Sequence, residues 1–135
     1  MVKRTALLGL ILPVLAACSP ANGPRFYNAA PHDLSVSVTY SDGRTGPFLT
    51  MKTASFFVSG EALQVMAIEV NRDGKPLFRL SGDTLPRVPA ALATPYKQMW
   101  EITDSGVCVL PESDFHGDTY PKCPEPLASG GAAIS

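Results

Sequence analysis

The sequence predicts an all-β domain, a small antiparallel β-sandwich or barrel-like fold, and three observations carry that reading. Residues 34–40 alternate Leu34, Val36, Val38 and Tyr40 with Ser35, Ser37 and Thr39. That period of two is the mark of a strand with one face in a core and the other near water. Asp73-Gly74 and Asp104-Ser105-Gly106 each sit between apolar runs, and such short links are the sharpest local sign of a hairpin. No long segment keeps a helical period, while short apolar runs and turn residues follow one another at short spacing, the pattern of a sandwich or small barrel.

The elements follow in order. After the strand at 34–40, Ser41-Asp42-Gly43 turns the chain. Residues 55–59 hold Phe56, Phe57 and Val58 in succession, which predicts a strand partly buried on both faces. Residues 63–70 fit two periods. Leu63, Met66, Ala67 and Val70 match a helix that Ser59 could cap, and Gln64, Met66, Ile68 and Val70 match a strand. The turn Asn71-Arg72-Asp73-Gly74 and the apolar run that follows it at 76–81 decide for the strand. In that run Phe78 and Leu80 share the apolar face, with Leu77 and Arg79 on the other. Residues 82–95 form a loop broken by Pro86, Pro89 and Pro95, with room for one helical turn at Ala90-Ala91-Leu92-Ala93. A strand over 96–103 puts Tyr96, Gln98, Trp100 and Ile102 on one side, and the next turn leads into a strand over 107–110. Gly106 is expected to supply a left-handed φ in that turn. Trp100 and Tyr96 could form a surface with Tyr40 or Phe48, but aromatics at this spacing are more often core.

Composition bounds the class. The chain has 135 residues, 45% hydrophobic, 17% charged and 8% aromatic, which excludes collagen-like, coiled-coil and wholly disordered chains. The length suits one domain, and a net charge of -1 gives no sign of a nucleic-acid partner. Residues 25–125 are assigned to a single β-domain. Residues 126–135, which include Ser129-Gly130-Gly131-Ala132-Ala133, are assigned to a disordered tail.

The N-terminus carries the most specific signal. Lys3 and Arg4 precede an uncharged, mostly apolar run from 5 to 17 that is too short to span a membrane comfortably and contains Pro13. The run ends in Leu15-Ala16-Ala17-Cys18. This resembles the lipobox of bacterial lipoproteins. The resemblance implies that residues 1–17 are a signal peptide, that Cys18 takes a diacylglycerol through its sulfur, and that its new amino group is acylated after cleavage. In lipoproteins of the enterobacterial type an aspartate after the cysteine favours inner-membrane retention. Ser19 stands there instead, which points to the outer membrane. Several acyl chains would hold the protein firmly, since one alone anchors only marginally. Without Lys3 and Arg4, 9 basic residues face 12 acidic ones, for a mature net charge of -3. Residues 18–24 are then the lipidated cysteine and a short polar linker, which keeps the domain close to the lipid.

Cys108 and Cys123 are the remaining cysteines. A pair in an exported domain reads as a disulfide, worth ~3 kcal/mol on the chain-entropy model, and it would staple the Pro-rich end to the last strand. Their spacing fits no compact zinc pair. Asp114-Phe115-His116-Gly117-Asp118 is a dense group of possible metal ligands, but it matches no known metal loop and reads as a solvated segment, so no metal or cofactor is assigned. His32-Asp33 suggests a base and its orienter, yet neighbours on an extended chain point opposite ways, and a turn is the better reading. Gly-x-Ser-x-Gly, His-Glu-x-x-His, phosphate-loop and Cys-x-x-Cys signatures are missing from the sequence. The expectation is a non-enzymatic, outer-membrane-anchored accessory domain that docks onto another envelope protein. A binding or inhibitory module is the alternative and a hydrolase is third. Cys18→Ser should leave an uncut precursor without acyl mass by intact mass spectrometry, and normal palmitate labelling of that variant would overturn the assignment.

Overall fold

The structure, a computed structural model, describes residues 23–117 and 120–123. The expected signal peptide, Cys18, Asp118 and the C-terminal tail lie outside the described residues. Eight strands follow along the chain: β1 (Arg25–Asn28), β2 (Leu34–Tyr40), β3 (Leu49–Met51), β4 (Phe56–Val58), β5 (Val65–Arg72), β6 (Lys75–Ser81), β7 (Gln98–Ile102) and β8 (Val107–Pro111). They form two four-stranded sheets, sheet A in the order β4-β1-β7-β8 and sheet B in the order β3-β2-β5-β6. The expected β-sandwich is thus present. It is not wholly antiparallel, because β1 runs parallel to β7, with Phe26 opposite Trp100. The chain crosses between the sheets after β1, so the two strands never share a hairpin.

The inner faces supply one core. Phe26, Trp100, Ile102 and Val107 of sheet A meet Leu34, Val36, Val38, Ile68, Val70, Phe78 and Leu80 of sheet B, all of them buried. The alternation read in 34–40, and the assignment of Phe78 and Leu80 to one face, agree with this packing. The β5–β6 hairpin closes through Asp73 and Gly74, both with positive φ (52° and 76°), between the paired Arg72 and Lys75. Two left-handed residues in a two-residue loop match the right-handed twist of the strands they join.

Sequence expectation and structure part in four places. Residues 63–70 do form a strand, but its alternation slips. Thr39 pairs with Ala67 and Tyr40 with Val65, so Met66 is an extra residue in a bulge and faces solvent while Val65 turns inward. The strand expected over 55–59, partly buried on both faces, shrinks to β4, which lies at the edge of sheet A with Phe57 half-buried on one face and Phe56 and Val58 exposed on the other. The strand expected over 96–103 begins at Gln98, because Pro95–Lys97 forms a 3-10 turn that leaves Tyr96 exposed and off the Trp100 face. Gly106 does not adopt a left-handed φ. The Thr103 hydroxyl orders that turn instead, accepting from the backbone N–H groups of Ser105 (3.2 Å) and Gly106 (3.1 Å), as short polar side chains do in turns. The short strands β1 and β3 carry too little periodicity to be read at all.

All five residues of β7 are buried. On its inner face the Trp100 indole N–H donates to Gln98 Oε1 at 3.0 Å, and Gln98 Nε2 donates to the Leu92 carbonyl (2.9 Å) and to Gln64 Oε1 (3.0 Å). This chain satisfies the polar groups that a buried tryptophan and glutamine bring with them. Trp100 is 1% exposed and packs beside Phe26, with ring centroids 6.5 Å apart. Trp100→Ala should therefore cost ~3–5 kcal/mol, the range for deleting a buried large aromatic. Thermal melts check this, and an unchanged melting temperature would contradict the core assignment.

Candidate functional site

Two surfaces of sheet A are unusual. Its outer face is covered by the chain that follows β8. Tyr27 of β1 and Met99 of β7 project from that face and form a second small core with Phe115. Tyr120 stacks on Tyr27, with planes 7° apart and centroids 5.5 Å apart, and Phe115 meets Tyr27 edge-on. The cover is held covalently, as the sequence predicted: Cys108 and Cys123 form a disulfide, their Cα atoms 6.0 Å apart. Arg25 adds an ion pair to Glu112 at 3.3 Å.

Beneath the cover lies Glu101, directly across from Cys108 in the β7–β8 register and from Tyr27 in the β1–β7 register. Its Oε1 accepts the Cys123 backbone N–H at 2.8 Å. Burial pushes its carboxyl above the ordinary range, against the opposing pull of that N–H and of Lys122. Burial also raises the Tyr27 phenol, helped by the nearby Glu101.

The second surface is the seam where the edge strands β3 and β4 face each other across the sandwich. A cavity of about 130 Å³ opens there, lined by Phe26, Val36, Val38, Tyr40, Gly46, Pro47, Leu49, Met51 and Phe57. A dry apolar cavity of roughly this size, about 150 Å³, accepts a benzene-sized guest. Leu49, 38% exposed, lies at its mouth, with Phe48 next to it, and Phe57 is the β4 side chain that lines it, whereas Phe56 (43%) and Val58 (39%) project from the outer face of sheet A beside Arg25, Phe115 and Tyr120. Beside the cavity Arg44 is held between Asp42 and Glu61, which gives the apolar centre a charged border. The Arg44 backbone N–H and guanidinium lower the Asp42 carboxyl. The 52–55 crossing from β3 to β4 contributes no large apolar side chain to fill the seam. Buried Asn28 fixes it from below, donating to the Met51 carbonyl (2.8 Å) and to that of His32 (3.1 Å).

The remaining sequence candidates fall elsewhere. His32 Nε2 lies 3.1 Å from Asp104 Oδ2 in the second hairpin loop, not beside Asp33, which instead accepts the Thr53 backbone N–H at 3.3 Å. Asp114 and His116 are both exposed. His116 shares a cleft of about 200 Å³ with Arg25, Glu112, Phe56 and Tyr120, and among the described residues no serine lines it. Among the described residues the ligand-type atoms that cluster are those of Glu101, Cys108 and Cys123, a group the sequence did not suggest. No family model matches the chain, and no curated protein or solved structure resembles it significantly.

The raised carboxyl makes a pH prediction. An acid whose folded-state pKa is raised holds its proton more tightly folded than unfolded. Its contribution to stability is therefore complete below the ordinary value of 4.5 and is lost as pH rises through the raised folded value. Glu101→Gln keeps an oxygen for the Cys123 N–H and carries no charge, so it should remove that part of the decline. Denaturant melts across the window check this, and parallel profiles for the two proteins would contradict it.

Proposed function

We propose that this chain is a lipid-anchored accessory lipoprotein of the bacterial envelope, held at the outer membrane through Cys18, whose β-sandwich docks onto another envelope protein through the open β3–β4 seam. The observation that carries the reading is the unblocked apolar edge. β4 pairs with β1 on one side and has no strand neighbour on the other among the described residues; its Phe57 lines the seam cavity, and Phe56 and Val58 are exposed on its opposite face. Exposed edges are normally blunted by charge, proline or a covering segment. An edge left apolar suits strand addition, in which backbone pairing gives affinity and pockets for alternate side chains give specificity. The partner of this chemistry is an extended segment that seats an apolar side chain in the cavity. An apolar centre with a charged border is also the usual layout of a protein interface.

The anchor fits the same geometry. Gly23 lies against the edge-strand end, where a Cβ would stand 2.5 Å from the Ser59 carbonyl and 2.3 Å from that of Glu61. Cys18 precedes it by five residues, a reach of at most about 18 Å. An anchor at Cys18 would therefore keep the docking edge close to the membrane.

The test uses acylated protein in detergent-solubilised envelope, with a photo-cross-linking residue at Phe56 and, separately, Val58→Lys. The cross-linker should capture one defined envelope protein. Val58→Lys should lower that capture at least tenfold, about 1.4 kcal/mol, while the melting curve shifts by no more than a surface substitution does, about 0.5 kcal/mol. Undiminished capture by Val58→Lys would remove the edge from the reading. A cavity occupied by a small apolar molecule in the purified protein would favour ligand capture instead.

A further inference from the structure

The outer face of sheet A holds a combination that covering the sheet does not require. Glu101 is 1% exposed, and among the described residues its Oε2 has no hydrogen-bond partner. A carboxylate oxygen of Glu101 and the sulfurs of Cys108 and Cys123 lie within 4.8 Å of one another. A staple of two cysteines needs no carboxyl beneath it, and an apolar side chain would fill the place without stranding a polar atom. The two sulfurs also differ in access: Cys108 is buried on β8, whereas Cys123 is half-buried at the end of the cover.

We propose that Cys108–Cys123 is a thiol–disulfide exchange site for a dithiol reductant, with Glu101 as the group that exchanges a proton with Cys108. One thiolate of the dithiol attacks the more accessible Cys123 Sγ. The Cys108–Cys123 bond breaks, a mixed disulfide forms on Cys123, and the bonding pair leaves on Cys108 Sγ. Oε2–H of neutral Glu101 transfers its proton to that thiolate, because a thiol ordinarily binds a proton more tightly than a carboxylate. The second thiol of the reductant gives up its proton and displaces Cys123 as a thiolate, which takes a proton from water. The dithiol ends as a disulfide and the protein as two thiols. In the reverse direction Glu101 accepts the Cys108 proton. Reduction also frees the cover, which carries Tyr120 away from Tyr27 and turns a buried aromatic face into an open one. The proposal stands apart from how the chain is anchored or what docks at the seam.

The titratable groups facing Glu101 are Tyr27 on β1 and Lys122 on the cover. Burial raises the Tyr27 phenol, so Tyr27 stays neutral beside Glu101. Burial, which keeps Glu101 protonated to higher pH than usual, suits it to proton donation.

The purified full-length chain is treated with dithiothreitol from about pH 5 to about pH 9, quenched with acid and alkylated, and Cys108 and Cys123 are mapped by peptide mass. The rate constant per dithiothreitol thiolate should fall as Glu101 loses its proton. Glu101→Gln should lower it about tenfold or more at the acidic end and flatten the profile. Should that variant fail to fold, the wild-type profile decides alone. Glutathione, a single-thiol probe, should leave its mixed disulfide on Cys123. A wild-type rate per thiolate that stays flat across the range, a folded Glu101→Gln protein reduced as fast as wild type, or glutathione found on Cys108 would each overturn the proposal.

Discussion

Strand β7 is buried on both faces, and much of the structure follows from covering it. A four-stranded sheet in a small sandwich ordinarily keeps one face wet, with polar side chains outward. Here β7 points Gln98, Trp100 and Ile102 into the sandwich and Met99 and Glu101 the other way, and all five lose contact with water. The inner face closes against sheet B. Among the described residues no third layer of regular structure packs on the outer face, and the segment after β8 folds back over it. That segment brings few apolar side chains of its own, chiefly Phe115 and Tyr120. Their contact area is small for a stable cover, and the Cys108–Cys123 bond makes up the shortfall by fixing the far end of the segment on β8.

This arrangement also explains what could be read in the sequence. The 34–40 strand, both hairpins and the disulfide rest on local signals: an alternation, a turn dipeptide, a pair of cysteines. Each needs only its immediate neighbours, and each is present. Glu101 was not legible as a buried group. A glutamate on a strand beside tryptophan reads as a solvent-facing residue, and the groups that cover its face, Phe115 and Cys123 among them, lie well along the chain. The exposure of Phe56 and Val58 was hidden for the converse reason. Three apolar residues in a row look like a core strand, and only the strand order places them at an edge. The bulge at Met66 hid in the same way, since its signature is a pairing offset and not a residue type.

The buried polar groups separate into two kinds. Gln98 and Asn28 are fully satisfied. Gln98 joins Trp100 to the 3-10 turn at Ala90–Leu92, and Asn28 ties the turn after β1 to the end of β3. Each replaces the water its amide gives up and fixes the position of a loop, so each is accounted for by architecture. Glu101 satisfies one oxygen and strands the other. An unsatisfied buried atom costs about 1–3 kcal/mol, an appreciable part of the ~5–15 kcal/mol by which a domain is stable. Packing therefore accounts for Gln98 and Asn28 and leaves Glu101 unexplained.

Two of the four crossings between the sheets show a similar asymmetry. The crossing from β6 to β7 is long and proline-rich, and it lays Leu85 and Val88 against the core. Between β3 and β4 the crossing is short and polar. There the core is left open at a cavity whose lining is almost wholly apolar, with Leu49 at its mouth. Ala54 in this crossing takes a left-handed φ of 59°, which few residues other than glycine adopt readily, and its N–H donates to the Asn28 carbonyl at 2.9 Å. Lys52, Thr53, Ala54 and Ser55 offer no bulky apolar side chain to the cavity. Asn28 ties this short crossing down at both ends, through the Met51 carbonyl and the Ala54 N–H. The seam thus combines a short polar crossing, an apolar cavity and the free edge of β4, which is the reason to look for a partner along that edge.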